Sequence, residues 1–367
     1  MKKILLFFFF LFVFLPISLT WAQEAQETEP TLQEELLEGK VIGILDEKTT
    51  IEAGEKLLYQ ELKVEVTKGS LKDREVEIEV GDIPVVGQPK YQVGDKVVIS
   101  YSQDFEGNDV FFITDYVRRQ PLLWLFLIFI ILTLMVGQWR GGMSLLGLVI
   151  SFAIIFLFIL PQIYQGEDPI TIAIVGSLVI IPATFLLSHG LNRKTLVAMA
   201  GTLVALFIVG ILSRFFIEFA RLTGYASEEA AFLHLARQGQ INMKGILLAG
   251  IIIGTLGVLD DITVSQAAIV QQLKETNPRM KWKEIFLRAM NVGQDHIASM
   301  INTLVLVYTG AALPLMLLFI DNPRPFAEIV NYQMIAEEIV RTLVGSIGLI
   351  LAVPITTLLA SRIAFKK

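Results

Sequence analysis

The sequence predicts an α-helical transmembrane bundle of about seven spans, preceded by a small all-β extracytoplasmic domain of OB-like or SH3-like type. Three observations carry this. The chain of 367 residues is 54% hydrophobic with a mean hydropathy of +0.62, too apolar for one water-soluble core. Between Gln23 and Gln120 there are 22 Asp and Glu against 11 Lys and Arg, whereas apolar runs dominate everything beyond. The first residues carry the parts of an export signal.

That signal consists of Lys2 and Lys3, an apolar run from Ile4 to Leu15, and small residues at Thr20 and Ala22. Residues 1–22 are therefore a signal peptide or a signal anchor; both outcomes leave the next segment outside. Residues 23–38, rich in Gln, Glu, Thr and Pro, read as a flexible acidic tether.

The β-domain is expected over 39–120. Short β-rich runs occur at Val41–Leu45, Leu57–Val66, Val76–Val80, Val97–Tyr101 and Val110–Val117. Alternation in Leu62-Lys63-Val64-Glu65-Val66 and Val76-Glu77-Ile78-Glu79-Val80 puts apolar groups on one face and charges on the other. Val93-Gly94-Asp95 and Glu106-Gly107-Asn108-Asp109 supply turns, the second suited to a hairpin. The domain reads equally well as a ligand-free spacer.

The polytopic domain is expected over 121–364. Its apolar runs are Pro121–Val136 and 143–164, 169–188, 195–219, 244–262, 297–320 and 339–361. At ~1.5 Å per residue each can cross a hydrocarbon layer of ~30 Å, the fifth by borrowing residues beyond its Asp pair. Basic residues collect in alternate loops: Arg140, then Arg193 and Lys194, then Lys274 to Arg288, then Arg362, Lys366 and Lys367. These loops are expected to be cytoplasmic. A cytoplasmic C-terminus follows.

Composition also excludes functions. A net charge of −6 with an acidic front segment argues against nucleic acid. With no cysteine there is no disulfide framework, thiolate metal site or thiol nucleophile.

Polar side chains inside apolar spans are costly, so they mark the candidate site. The fifth and sixth spans hold most of them: Asp260, Asp261 and Gln266, then Asn291, Asp295, His296, Ser299 and Asn302. At ~100° per residue, Asn291, Asp295, Ser299 and Asn302 fall within roughly 80° of one helix face. If the two spans form a hairpin turning near Asn277-Pro278, the Asp pair and this stripe reach similar heights. Gly250, Gly254 and Gly257 would give the fifth span a small-residue face for a close neighbour.

Such a set suits a monovalent or divalent cation, a proton, or a polar part of a solute, with the metal identity undetermined. Side chains that only cap helix ends in headgroup water are the competing reading. Intramembrane hydrolysis is a third, although no catalytic residue or general base can be assigned: Asp260 and Asp261 are consecutive and point ~100° apart. Arg214 and Glu218, four residues apart, read as a structural pair, and His189 and His234 as interfacial histidines.

The strings Gly257-Val258-Leu259-Asp260-Asp261-Ile262-Thr263-Val264-Ser265-Gln266 and Val292-Gly293-Gln294-Asp295-His296-Ile297-Ala298-Ser299, with Asn302-Thr303-Leu304, Tyr308 and Ala311-Ala312-Leu313-Pro314-Leu315, resemble the YibE/YibF family of bacterial multi-pass membrane proteins. The resemblance extends from about Pro121 to Arg362. Gln294 departs from it, standing where the family pattern has arginine. The resemblance implies a multi-pass protein of permease type without naming a reaction.

The expected function is a permease or channel-like protein for a small ion or solute. A non-transporting scaffold or sensor, whose outer domain binds a partner, remains open beside it. The expected partners are the lipid bilayer, that small ion or solute, and a second copy or another membrane protein. No bound cofactor beyond a cation is expected.

Overall fold

The computed structural model describes residues 34–52, 55–81, 89–104, 106–317, 319–320 and 324–363. The export segment and most of the tether lie outside them. The chain divides into two compact units between Ile131 and Leu132.

The first unit is a five-stranded antiparallel sheet of β1 (Glu35–Glu52), β2 (Glu55–Lys68), β3 (Glu75–Val80), β4 (Lys96–Gln103) and β5 (Asp109–Tyr116). Its strand order is β3-β2-β1-β4-β5. All five β-rich runs are strands, and β1 starts inside the stretch read as tether, because Leu37 is fully buried. Leu37, Val41, Leu62, Val64, Val76, Ile78, Val97 and Ile99 form the core. The alternation of β3 appears directly as Val76 and Ile78 inward, with Glu75, Glu77 and Glu79 outward.

Long β1 serves both halves of the sheet by curling. Its pairing with β2 shifts register at Glu38/Gly39, Val41/Gly43 and Ile44/Asp46, and such irregularities bend a strand. Gly39 is needed at the first bend: a Cβ there would lie 2.6 Å from Val64 Cγ1 and 2.7 Å from Ile99 Cδ1. The sheet's two edges are tied by Arg74, just before β3, whose guanidinium lies 2.9 Å from Asp109 at the start of β5. Buried Gln60 clamps the segment before β4: it donates to the Tyr91 carbonyl (3.0 Å) and accepts from the Tyr91 amide (2.9 Å). Two buried backbone groups without strand partners are thereby satisfied.

The acidic surface of this unit is offset locally. The Tyr101 hydroxyl, Gln103 and Arg74 hold the Asp109 carboxyl below its ordinary value. For Glu38, burial pushes upward, but hydrogen bonds and charge from Arg119 and Lys68 outweigh it and the net shift is downward. Carboxyls with lowered folded-state pKa values bind fewer protons folded than unfolded. Their contribution is present above the ordinary carboxylate range of ~4 and is lost as pH falls through the lowered values. Hydrogen exchange of the strand amides, corrected for intrinsic rate, is therefore expected to lose protection below pH ~4. Unchanged protection from pH 6 to 3 would contradict this.

From Arg119 onward the chain is helical, and the boundary between the two units falls within the first helix. Helix α1 (Arg119–Ile154) runs on through a π-helical turn (Ile155–Ile159) into α2 (Leu160–Tyr164). Then come α3 (Pro169–His189), α4 (Arg193–Phe219), α5 (Glu228–Ala236), α6 (Met243–Thr276), α7 (Trp282–Ala311), α8 (Leu313–Leu317), α9 (Phe326–Ile329) and α10 (Gln333–Ile363). The wide turn lies just ahead of Pro161, whose ring cannot donate to, and crowds, the preceding turn. Side chains cap the helix starts: Asp168 accepts from Thr171 N, Asn192 from Thr195 N and Asn242 from Gly245 N.

Helices α4, α6 and α10 pack on one another, with α3 and α7 against α6. Glycines permit the closest approaches. A Cβ on Gly201 of α4 would lie 2.2 Å from Thr356 Oγ1 of α10, and one on Gly348 of α10 would lie 2.2 Å from Val209 Cγ2 of α4. The Thr202 and Thr263 hydroxyls join α4 to α6 at 2.8 Å.

Among the described residues, five helical runs are long and apolar enough to cross a membrane: Arg119–Tyr164, Pro169–His189, Arg193–Phe219, Met243–Thr276 and Gln333–Ile363. The expectation of about seven differs from this in two places. The runs 121–136 and 143–164 fall in one 46-residue helical stretch, broken at Gln138 (φ 49, ψ −133). The break is sharp: a Cβ on Gly141 would lie 2.4 Å from the Thr133 carbonyl oxygen, although eight residues of straight helix rise ~12 Å. The other difference is the run at 297–320. Its helix, α7, begins back at Trp282 among charged residues, ends at Ala311 and is not among the five.

Candidate functional site

Asp260 and Asp261 stand midway along α6, and both line a cavity of about 730 Å³. Its other polar walls come from α1 (Thr133, Arg140, Ser144, Ser151), from α3 (Thr184, Ser188, His189) and from Ser265. None of its lining residues belongs to α7.

The two carboxylates differ in setting. Asp261 is exposed into the cavity, while Asp260 is half-buried. Asp260 Oδ2 lies 3.5 Å from Thr184 Oγ1, and Asp260 Oδ1 is buried without a hydrogen-bond partner. Thr184 is a poor donor to it, since its single hydroxyl proton also faces the Ile180 carbonyl at 3.0 Å and the Ile181 carbonyl at 3.2 Å. A threonine donates once, and here the helix carbonyls are nearer. Among the described residues Asp260 is thus left with one long contact.

The other sequence-predicted residues lie elsewhere. Gln266 is fully buried and donates to the Ala289 carbonyl of α7 at 2.9 Å. Gly293 permits this, since a Cβ there would stand 2.8 Å from Gln266 Nε2. Gln266 therefore ties α6 to α7, and it sits about 120° round α6 from Asp260. His296 is half-buried, with Nδ1 unpartnered. Asn291, Asp295, Ser299 and Asn302 are all exposed, on the far side of α7 from its buried residues Ile285, Ala289, Gly293 and Leu304. Asp260 and Asp261 border the same cavity, and the α7 stripe lies on a face turned away from α6. Gln294 is exposed as well. Among the described residues, no group of three or more His, Cys, Asp or Glu is placed to hold a metal ion.

The glycines of α6 do not provide the close approach expected of them. A Cβ on Gly250 or Gly257 would meet nothing within 4 Å, and one on Gly254 only the Tyr308 hydroxyl at 3.5 Å. These glycines border open space, Gly257 the Asp cavity and Gly250 a second cavity of about 620 Å³ that includes Glu337, Glu338 and Arg341. Close helix approach is instead the work of Gly201, Gly293 and Gly348.

Sequence reasoning missed the contribution of α1 and α3. Arg140 reads as a loop charge and His189 as an interfacial group, and nothing in the spacing ties either to α6. Only the hydroxyls at Thr184 and Ser188, one turn apart beside His189, offered a signal.

No curated protein and no solved structure matches the chain. Residues 125–366 match the family model described as YibE/F-like protein. That match spans the Asp260–Asp261 cavity and nearly all of the helical unit, and the chain belongs to the YibE/F-like protein family.

Proposed function

We propose that this protein carries a proton or a small cation across a membrane, with Asp260 and Asp261 as the groups that hold it in passage. The observation that carries the reading is Asp260 itself: an acid in the middle of an apolar helix, one oxygen unpartnered, bordering a roomy cavity. Acidic groups at such positions are expensive to keep and mark ion or proton pathways in membrane proteins. Two carboxylates with hydroxyl neighbours suit a proton or monovalent cation; a hard divalent ion would need water or further oxygens to fill its shell.

The topology that goes with this has seven spans, counting the run broken at Gln138 as two and α7 as one more. It places the β-domain outside and the C-terminus in the cytoplasm of a bacterial inner membrane. The basic residues at Arg140, Arg193, Lys194, Lys274 to Arg288 and Arg362 support that orientation. The strand order β3-β2-β1-β4-β5, with β3 brought to β5, supports an OB-like barrel.

The test is flux in proteoliposomes under a pH gradient and with a panel of monovalent and divalent cations. The protein should move one of these, and the double variant Asp260→Asn/Asp261→Asn, folded normally, should not. Equal flux in both sinks the reading.

A further inference from the structure

Two cavities of the helical unit lie against one face of α6. Met243, Leu247 and Gly250 border the cavity of about 620 Å³, and Gly257, Asp260 and Asp261 border that of about 730 Å³. At ~100° per residue, Met243, Gly250, Gly254, Gly257 and Asp261 fall within about 60° of one another around the helix. The cavities therefore follow each other along α6 instead of lying on opposite sides of it.

Between them stands Gly254, and over it Tyr308 of α7: a Cβ on Gly254 would lie 3.5 Å from the Tyr308 hydroxyl. Tyr308 is half-buried, packs on the helical core and lines the smaller cavity. Measured from Met243 at ~1.5 Å per residue, Gly250 lies ~10 Å along α6, Gly254 ~16 Å, Gly257 ~21 Å and Asp261 ~27 Å. The tyrosine thus meets α6 near the middle of a layer ~30 Å thick, with a cavity on either side.

We propose that the two cavities are the outer and inner halves of one passage along this glycine face, and that Tyr308 is the barrier between them. The proposal rests on the cation reading above for what moves, and on its topology for which half is outer. Both halves carry acid. In the outer one Glu337 is 6% exposed and accepts, through Oε1, from the Gly224 amide at 3.1 Å and from Gln333 Nε2 at 2.8 Å. Its neighbour Glu338 is paired with Arg341 at 3.0 Å. In the inner half stand Asp260 and Asp261. A cation passing from one set of carboxylates to the other meets a phenol at the narrow point, whose oxygen offers a lone pair but no charge. Gly250 and Gly257 keep the two halves wide, since a side chain at either position would project into open space.

Because the chain has no cysteine, single cysteines report access without a background. In right-side-out and inverted membrane vesicles, a membrane-impermeant maleimide should modify Gly250→Cys from the outer face and Gly257→Cys from the inner face only. Adding Tyr308→Ala to Gly257→Cys should raise its labelling from the outer face at least tenfold. Tyr308→Leu, which keeps apolar bulk against the core but withdraws the atoms nearest Gly254, should do the same and guards against misfolding of the alanine variant. The proposal is overturned if Gly250→Cys is not reached from outside, if Gly257→Cys is reached from outside with Tyr308 in place, or if neither tyrosine variant, shown to be folded, opens it. None of these readouts requires transport: a passage that opens at Tyr308 while no cation moves would sink the cation reading and leave this one standing.

Discussion

Asp260→Asn is expected to lower flux roughly ten- to hundredfold, since a charged group's interaction is worth about 1.5–3 kcal/mol and ~1.4 kcal/mol is one decade of rate. Asp261→Asn is expected to do less. The physical difference is access to water: Asp261 is exposed into the cavity, whereas Asp260 is half-buried with an oxygen that nothing in the chain satisfies. Asn keeps the shape and the Thr184 contact but can carry no net charge and no exchangeable acid proton. The comparison reads chemistry when it is made on variants shown to keep the fold. If Asp261→Asn proves the more damaging, the roles of the two acids are reversed.

Gly348→Leu and Gly201→Leu are expected to be strongly disruptive changes in the helical unit. At each position even a Cβ would sit 2.2 Å from a side-chain atom of the facing helix, so for a leucine the facing side chain and the helices must shift. Overpacking of this kind costs ~1–3 kcal/mol or more, a large part of the ~5–15 kcal/mol that holds a typical fold. Gly250→Ala should behave in the opposite way, gaining ~0.5–1 kcal/mol, because a methyl there meets nothing and a glycine inside a helix is itself costly. Thermal aggregation midpoints of the detergent-solubilised variants measure the contrast. Similar midpoints for Gly250→Ala and Gly348→Leu would show that α4 and α10 are not closely packed.

The sequence is most informative where one physical rule acts alone. Period-two alternation at Val76–Val80 and the turn residues around Gly107 are local signals, and the strands form as expected. The apolar runs at 169–188, 195–219 and 339–361 are long enough to leave one reading. The Asp pair was legible for the same reason, as charge inside an apolar run. What was not legible depends on azimuth between helices distant in sequence. Pairing α6 with its neighbour α7 was the natural guess, yet Asp260 turns toward α3 and its Thr184, 76 residues away. Periodicity sets the four polar residues of α7 on one helix face, but it does not say whether that face points inward. Nor do the letters of a glycine stripe distinguish close packing from open space: Gly201 and Gly348 lie against side chains, while Gly250 and Gly257 border cavities.

The account stands on Asp260 bordering a space that water and ions can reach. The most direct measurement is thiol labelling of Gly257→Cys, a position on the cavity wall where an added Cβ meets nothing within 4 Å. A membrane-impermeant thiol reagent should modify this cysteine in inverted membrane vesicles, and the transported cation should slow the reaction. A cysteine that stays unmodified from both faces of the membrane, in protein shown to be folded, would contradict it.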